Sequence, residues 1–154
     1  MKLLLLFIGK TTESYLKEGI EEYISRLSKY INVSAEVLPA SDRKSKDKAI
    51  EEEGTSVLSR LKPGDFVVVL DERGKSLTSR QLAAAIQKWM LRSIGRVVIV
   101  TGGAYGISPA IMQRSQFIIS LSPMTFTHQM VRLILAEQLY RAMTIIKNEG
   151  YHHD

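Results

Sequence analysis

The sequence predicts an α/β fold, a mostly parallel sheet with helices on both faces, and three observations predict it. Residues 2–9, 65–70, 96–101 and 116–120 are short runs with apolar centres, the pattern of strands covered on both sides. The stretches between them place apolar residues at helical spacing, with charged residues opposite. Turn signals such as Lys62-Pro63-Gly64 and Gly102-Gly103 separate the two kinds of segment. Alternation of this sort builds strand–helix–strand units, and residues 1–154 are enough to bury a core as a single domain.

Taken in order, residues 2–9 are the first buried strand. They resemble a leader peptide only superficially, because Gly9-Lys10 offers no small-residue cleavage site and an amphipathic helix pattern follows directly. That helix spans about residues 12–29, with Leu16, Ile20, Tyr23, Ile24 and Leu27 on one face. Residues 31–38 alternate as a strand nearer an edge, stopped by Pro39. The polar segment 41–48 carries Arg43, Lys44, Lys46 and Lys48, and reads either as a solvated loop or as a phosphate-contacting one. A helix through Ile50, Val57, Leu58 and Leu61 then leads to the second buried strand, ending at Leu70 in the polar cluster Asp71-Glu72-Arg73-Gly74-Lys75. Thr78 or Ser79 caps the next helix, which closes near Gly95. After the strand at 96–101 comes Gly102-Gly103-Ala104-Tyr105-Gly106, then a short helix started by Ser108-Pro109. The fourth buried strand is Phe117-Ile118-Ile119, and Thr127 is the expected cap of a final helix reaching about Asn148.

Composition narrows the chemistry. The chain has no Cys, which removes disulfides, thiolate ligands and cysteine nucleophiles and fits a reducing, cytoplasmic setting. Its formal net charge of +5 points to a polyanionic partner, nucleic acid being the commonest for a small basic domain. No apolar stretch approaches the roughly 18 residues of a membrane span, so a soluble protein is expected. The glycine pattern of a dinucleotide site fails at Thr101, and neither a Walker sequence nor a nucleophile elbow is present. His128, His152 and His153 have no acidic companion at ligand spacing, so no metal is expected.

The candidate site follows from topology. In a parallel sheet the segments after Leu70, Thr101 and Ser120 leave from the same edge and converge on one crevice. The diglycine admits close approach of a ligand to the backbone. The tail Gly150-Tyr151-His152-His153-Asp154 either frays or folds over a site, where Tyr151 would stack on a base and His152 would handle a proton. The last helix is apolar around most of its circumference, so a second subunit is expected to cover what the sheet does not, making a symmetric homodimer.

Together, Leu70-Asp71, Gly102-Gly103-Ala104-Tyr105-Gly106-Ile107-Ser108, Leu121-Ser122-Pro123-Met124-Thr125-Phe126-Thr127-His128 and Tyr151-His152 resemble the ribosomal RNA large subunit methyltransferase H family, of the SPOUT class. The resemblance runs the length of the chain. It implies a SPOUT-type fold with a carboxyl-terminal trefoil knot, a homodimer, and S-adenosylmethionine-dependent methylation of N3 of a pseudouridine in 23S ribosomal RNA, within an assembled ribosome. By the same resemblance Leu70, Gly102, Gly103, Leu121, Ser122, Pro123, Met124, Thr125, Phe126 and Thr127 line the methyl-donor site. Tyr151 and His152 match the family's tail motif beside the target base, and His153 stands where the family commonly has Arg or Lys. Arg132 and Arg141 on the last helix are candidate contacts to RNA phosphate or to the partner subunit. The competing class is a non-enzymatic RNA-binding or ribosome-assembly module using the basic segment 43–48, indifferent to the donor.

Overall fold

The computed structural model describes residues 1–153; Asp154, the last residue of the tail considered above, lies outside them. Five strands form one wholly parallel sheet in the order β2-β1-β4-β3-β5. They are β1 (Lys2–Ile8), β2 (Asn32–Leu38), β3 (Phe66–Ser76), β4 (Arg96–Thr101) and β5 (Phe117–Ser120). The helices are α1 (Ser14–Ser28), α2 (Lys46–Leu58), α3 (Ser79–Leu91), α4 (Pro109–Arg114) and α5 (Met130–Ile146). None is long and apolar enough to cross a membrane.

The continuous apolar runs divide by strand alternation into two cores. Leu3, Leu5 and Phe7 of β1, with Val97 and Ile99 of β4 and Val68 and Leu70 of β3, face α1, α3 and α5. Their neighbours Leu4, Leu6, Ile8, Val98, Val100, Val67 and Val69 face α2 and α4, through Val57 and Ile111. Helices thus cover both faces, as expected. Thr78 starts α3 with a reciprocal capping box to Gln81, and Ser45 and Ser108 cap α2 and α4.

Three sequence expectations change. The polar cluster after Leu70 does not end the strand: Leu70 and Lys75 both align with Ile119, so residues 71–74 make an excursion and β3 rejoins the ladder to Ser76. Gly74 permits the return, because a Cβ there would lie 2.6–2.7 Å from the backbone of Ile118 and Ile119. Next, β5 is an edge strand with Phe117 and Ile118 only half-buried, short apolar runs being unable to distinguish edge from centre. Finally, α5 begins at Met130 rather than directly after Thr127; Gln129, the residue before it, makes no side-chain cap, and Thr127 Oγ1 accepts the Met130 N–H at 3.2 Å.

Helix α5 lies between α1 and α3 on one face of the sheet. Gly19 lets α1 approach closely, a Cβ there falling 2.8 Å from Leu133 Cδ1. Much of the apolar circumference of α5 is therefore covered within the chain, with Val131, Leu133, Tyr140, Ile145 and Ile146 half-buried.

Candidate active site at the carboxyl edge of the sheet

The segments after β3, β4 and β5 do converge. They wall a cleft of about 1270 Å³ together with one side of α2 along its length, lined among others by Leu70, Asp71, Thr101, Gly102, Gly103, Leu121, Ser122 and the run Met124, Thr125, Phe126, Thr127 and His128. Of the ten residues assigned to the donor site, only Pro123 is missing from the lining.

Each wall has a local cause. After Thr101 the chain turns back so tightly that Gly103 and Gly106 bridge each other, with Gly106 N–H donating to Gly103 O at 3.2 Å and Gly106 at φ +95°. A Cβ on Gly102 would sit 2.8 Å from the Gly106 carbonyl. The turn presents Tyr105 at its tip, 47% exposed. Behind it the Thr101 hydroxyl is buried with no hydrogen-bond partner. On the β3 side Arg73 grips Asp71 through Nε at 2.7 Å and NH2 at 2.9 Å, and these bonds hold the Asp71 carboxyl below the usual carboxylate range despite burial. The Ser122 hydroxyl accepts the Met124 N–H at 3.0 Å, which shapes the third wall and leaves Met124 and Phe126 exposed at the mouth.

Arg132 is not an RNA contact. It is wholly buried, donating to Gly9 O at 2.8 Å, Thr11 Oγ1 at 3.0 Å and Ile8 O at 2.5 Å, with its guanidinium over the Phe7 ring. It ties the start of α5 to the end of β1, helped by Gln129, whose Oε1 accepts the Thr12 N–H at 2.9 Å. Burial alone pulls its basicity down. A lone Arg in an apolar helix reads as surface by residue type; its place on the buried stripe with Leu135, Ala136 and Leu139 was the available signal. Arg141 is likewise engaged, by Glu137 at 2.5 Å and over the Tyr151 ring at 4.7 Å, and is half-buried rather than open to solvent.

The tail folds back on its own helix. Tyr151 packs against Tyr140 at 4.7 Å, its hydroxyl donates to Glu137 Oε1 at 3.1 Å and meets the Tyr23 hydroxyl at 3.3 Å. Burial, then Tyr23 and Glu137, push the Tyr151 phenol up, so it stays protonated at neutral pH. His152 Nδ1 is 3.4 Å from Arg141 NH1, and His153 is exposed. Neither Tyr151 nor His152 lines the cleft. Within one chain the candidate residues thus form two groups, a cleft and a tail cluster.

One feature beside the cleft escaped the sequence reading. Glu53 is buried behind Gly103, and its only signal was its position on the Ala49–Val57 stripe of α2. His128 lines the cleft, its basicity lowered by burial and by Arg132 and partly restored by Glu53. In the segment 41–48, Arg43, Lys44, Lys46 and Lys48 stand beside Asp42 and Asp47, and Arg43 pairs with Glu52 of α2 at 3.4 Å.

Residues 1–152 match the family model described as "Predicted SPOUT methyltransferase". A ribosomal RNA large subunit methyltransferase H from Porphyromonas gingivalis is 46% identical over 157 residues, covering all of both chains. Those of Parabacteroides distasonis and Dictyoglomus thermophilum are 47% and 38% identical, covering 99–100% of each chain. The chain belongs to the ribosomal RNA large subunit methyltransferase H family. As a SPOUT methyltransferase of this family it shares its fold with much more distant proteins. A probable methylase family protein from Haemophilus influenzae aligns over 99% of this chain and 70% of its own (TM-score 0.55, 10% identity). A probable methyltransferase from Bordetella pertussis aligns over 92% and 96% (TM-score 0.54, 15% identity). No cluster of metal-ligating side chains occurs among the described residues.

Proposed function

We propose that the protein methylates N3 of a pseudouridine in 23S ribosomal RNA, with S-adenosylmethionine as donor, acting in the cytoplasm as a homodimer on the large subunit of assembled ribosomes. The observation that carries this reading is the cleft, built from the three segments that the family resemblance assigns to the donor, in a chain that matches its relatives from end to end. The residues fit such a ligand: Gly102 and Gly103 line the cleft without side chains, and the buried Thr101 hydroxyl has a hydrogen bond still to make. The volume exceeds the roughly 300–1,000 Å³ of common small-molecule pockets, leaving room for a nucleotide beside the donor. The trefoil knot of the family belongs to this reading, with residues 71–76 and 121–129 as the interlaced segments.

When bound, the donor supplies a sulfonium-activated methyl group. The protein's part is positioning and proton removal. Leu70, Leu121 and Phe126 enclose the apolar parts of the ligand, while backbone groups of residues 102–103 and 122–127 accept and donate its hydrogen bonds. Tyr105 and Phe126, partly exposed at the mouth, offer rings on which an unpaired base stacks. The tail cluster of one chain packs away from that chain's cleft, so in the homodimer the tail of each subunit serves the cleft of the other. There His152 takes the proton from N3 and Tyr151 orients the base, with Arg141 and His153 toward the RNA backbone.

Isothermal titration with S-adenosylmethionine should give one site per subunit, and mass spectrometry of large-subunit RNA from cells lacking the gene should show one methyl missing from a pseudouridine. Unchanged RNA modification, together with salt-dependent RNA binding indifferent to the donor, would establish the non-enzymatic alternative instead.

A further inference from the structure

Glu53 has no role in the reading given so far, and its surroundings are unusual. The residue is 5% exposed. One carboxylate oxygen, Oε1, accepts the Ser41 N–H at 2.9 Å, and the other, Oε2, is buried without any hydrogen-bond partner. Oε2 lies 3.2 Å from where a side chain on Gly103 would begin, which sets it against a residue that lines the cleft. Arg132 gives its two terminal NH groups to neutral oxygens of Ile8, Gly9 and Thr11 while its buried Nε–H has no hydrogen-bond partner, and among the described residues no ion pair joins it to Glu53. His128, on the cleft wall, feels both charges. A buried carboxylate left half-satisfied is costly unless something compensates it.

We propose that Glu53 is a specificity-determining residue of the donor cleft, an anion set behind Gly103 that favours a ligand carrying positive charge over a neutral ligand of the same shape. The inference rests on the donor-site reading above. S-adenosylmethionine carries a sulfonium cation, whereas the demethylated product, S-adenosylhomocysteine, has a neutral thioether. Across a poorly screened protein interior such a charge difference is felt over several ångströms. Glu53 therefore holds the reactive donor and weakens the hold on the spent one, which clears the cleft after each transfer.

The test is calorimetric and does not depend on turnover. Affinities of the full chain for S-adenosylmethionine, for its cationic amine analogue sinefungin, and for S-adenosylhomocysteine are measured in wild type, Glu53→Gln and Glu53→Asp. Glu53→Gln keeps an oxygen for the Ser41 N–H and removes the charge. It is expected to weaken both cationic ligands by about tenfold while S-adenosylhomocysteine stays within about twofold. Glu53→Asp, which keeps the charge, should retain the preference of the wild type. A parallel loss of all three ligands in Glu53→Gln would mean a merely structural role and overturn the proposal, as would an unchanged ratio. Should Glu53→Gln fail to fold, the comparison of wild type with Glu53→Asp decides: a wild type that binds S-adenosylhomocysteine as tightly as the two cations also overturns it. Absence of binding by all three ligands to the wild type would instead remove the donor-site reading itself.

Discussion

Gly102 stands where the chain leaving β4 must reverse within five residues, and a single methyl group decides whether it can. An alanine there would place its Cβ 2.8 Å from the backbone of Gly106, which cannot move aside without opening the turn that carries Tyr105. Gly102→Ala should cost about 2–3 kcal/mol in urea unfolding and weaken donor binding in the same protein. Gly95→Ala, with nothing near the new Cβ, should fall within about 0.5 kcal/mol of wild type. Asp65 offers a test of a different kind. The Arg96 guanidinium, with the Lys62 N–H and the Arg114 charge, holds its buried carboxyl below the usual range against the cost of burial. Because the folded value is the depressed one, this stabilisation is complete above the unfolded carboxylate value of about 4 and disappears as pH falls through the folded value. Asp65→Asn should therefore destabilise by about 3 kcal/mol at neutral pH and flatten the acid limb of stability against pH, followed by urea denaturation.

At the scale of elements, α5 is held at its two ends by different chemistry. Its start is fastened by Arg132 and Gln129 to the carbonyls and loop after β1, and its far half carries Glu137, Tyr140 and Arg141, on which the tail lies. Arg132→Met would leave the Ile8 and Gly9 carbonyls and the Thr11 hydroxyl without their donor. It should lose about 3 kcal/mol of stability while the salt dependence of RNA binding keeps its slope, which separates an internal tether from a phosphate contact. Tyr151→Phe keeps the ring packing on Tyr140 and removes only the hydroxyl that reaches Glu137 and Tyr23. The expected stability change is about 1 kcal/mol. Donor affinity should not change, since Tyr151 is outside the cleft, and kcat for RNA methylation should fall.

At the scale of the whole molecule, what the sequence made legible was what periodicity and chain direction control. Alternating buried residues in Leu3–Ile8 and Val97–Val100 require cover on both faces, and parallel strands put the segments after Leu70, Thr101 and Ser120 on one edge; both appear as expected. Hidden from sequence was whatever depends on which buried position a polar residue occupies. Glu53 and Arg132 look like ordinary surface charges until α2 and α5 are rotated against the sheet, and the re-entry of β3 at Lys75 depends on the close passage of Gly74 beside β5. The tail was the other illegible part, because Gly150 can direct Tyr151 either way and only the Tyr140, Tyr23 and Glu137 partners fix it. That placement has a consequence for the assembly. On the dimeric reading proposed above, a tail packed on its own α5, outside its own cleft, meets bound RNA in the partner subunit's cleft. The protein should therefore run as a dimer in sedimentation. A Gly103→Trp chain, blocked in the cleft, and a His152→Ala chain, altered in the tail, should each be inactive alone. Co-expressed and purified as a mixed dimer, they retain one intact cleft facing one intact tail, so about half of the wild-type methylation per dimer is expected, since one of the two composite sites survives. Mixed dimers as inactive as their parents would show that cleft and tail must belong to the same chain.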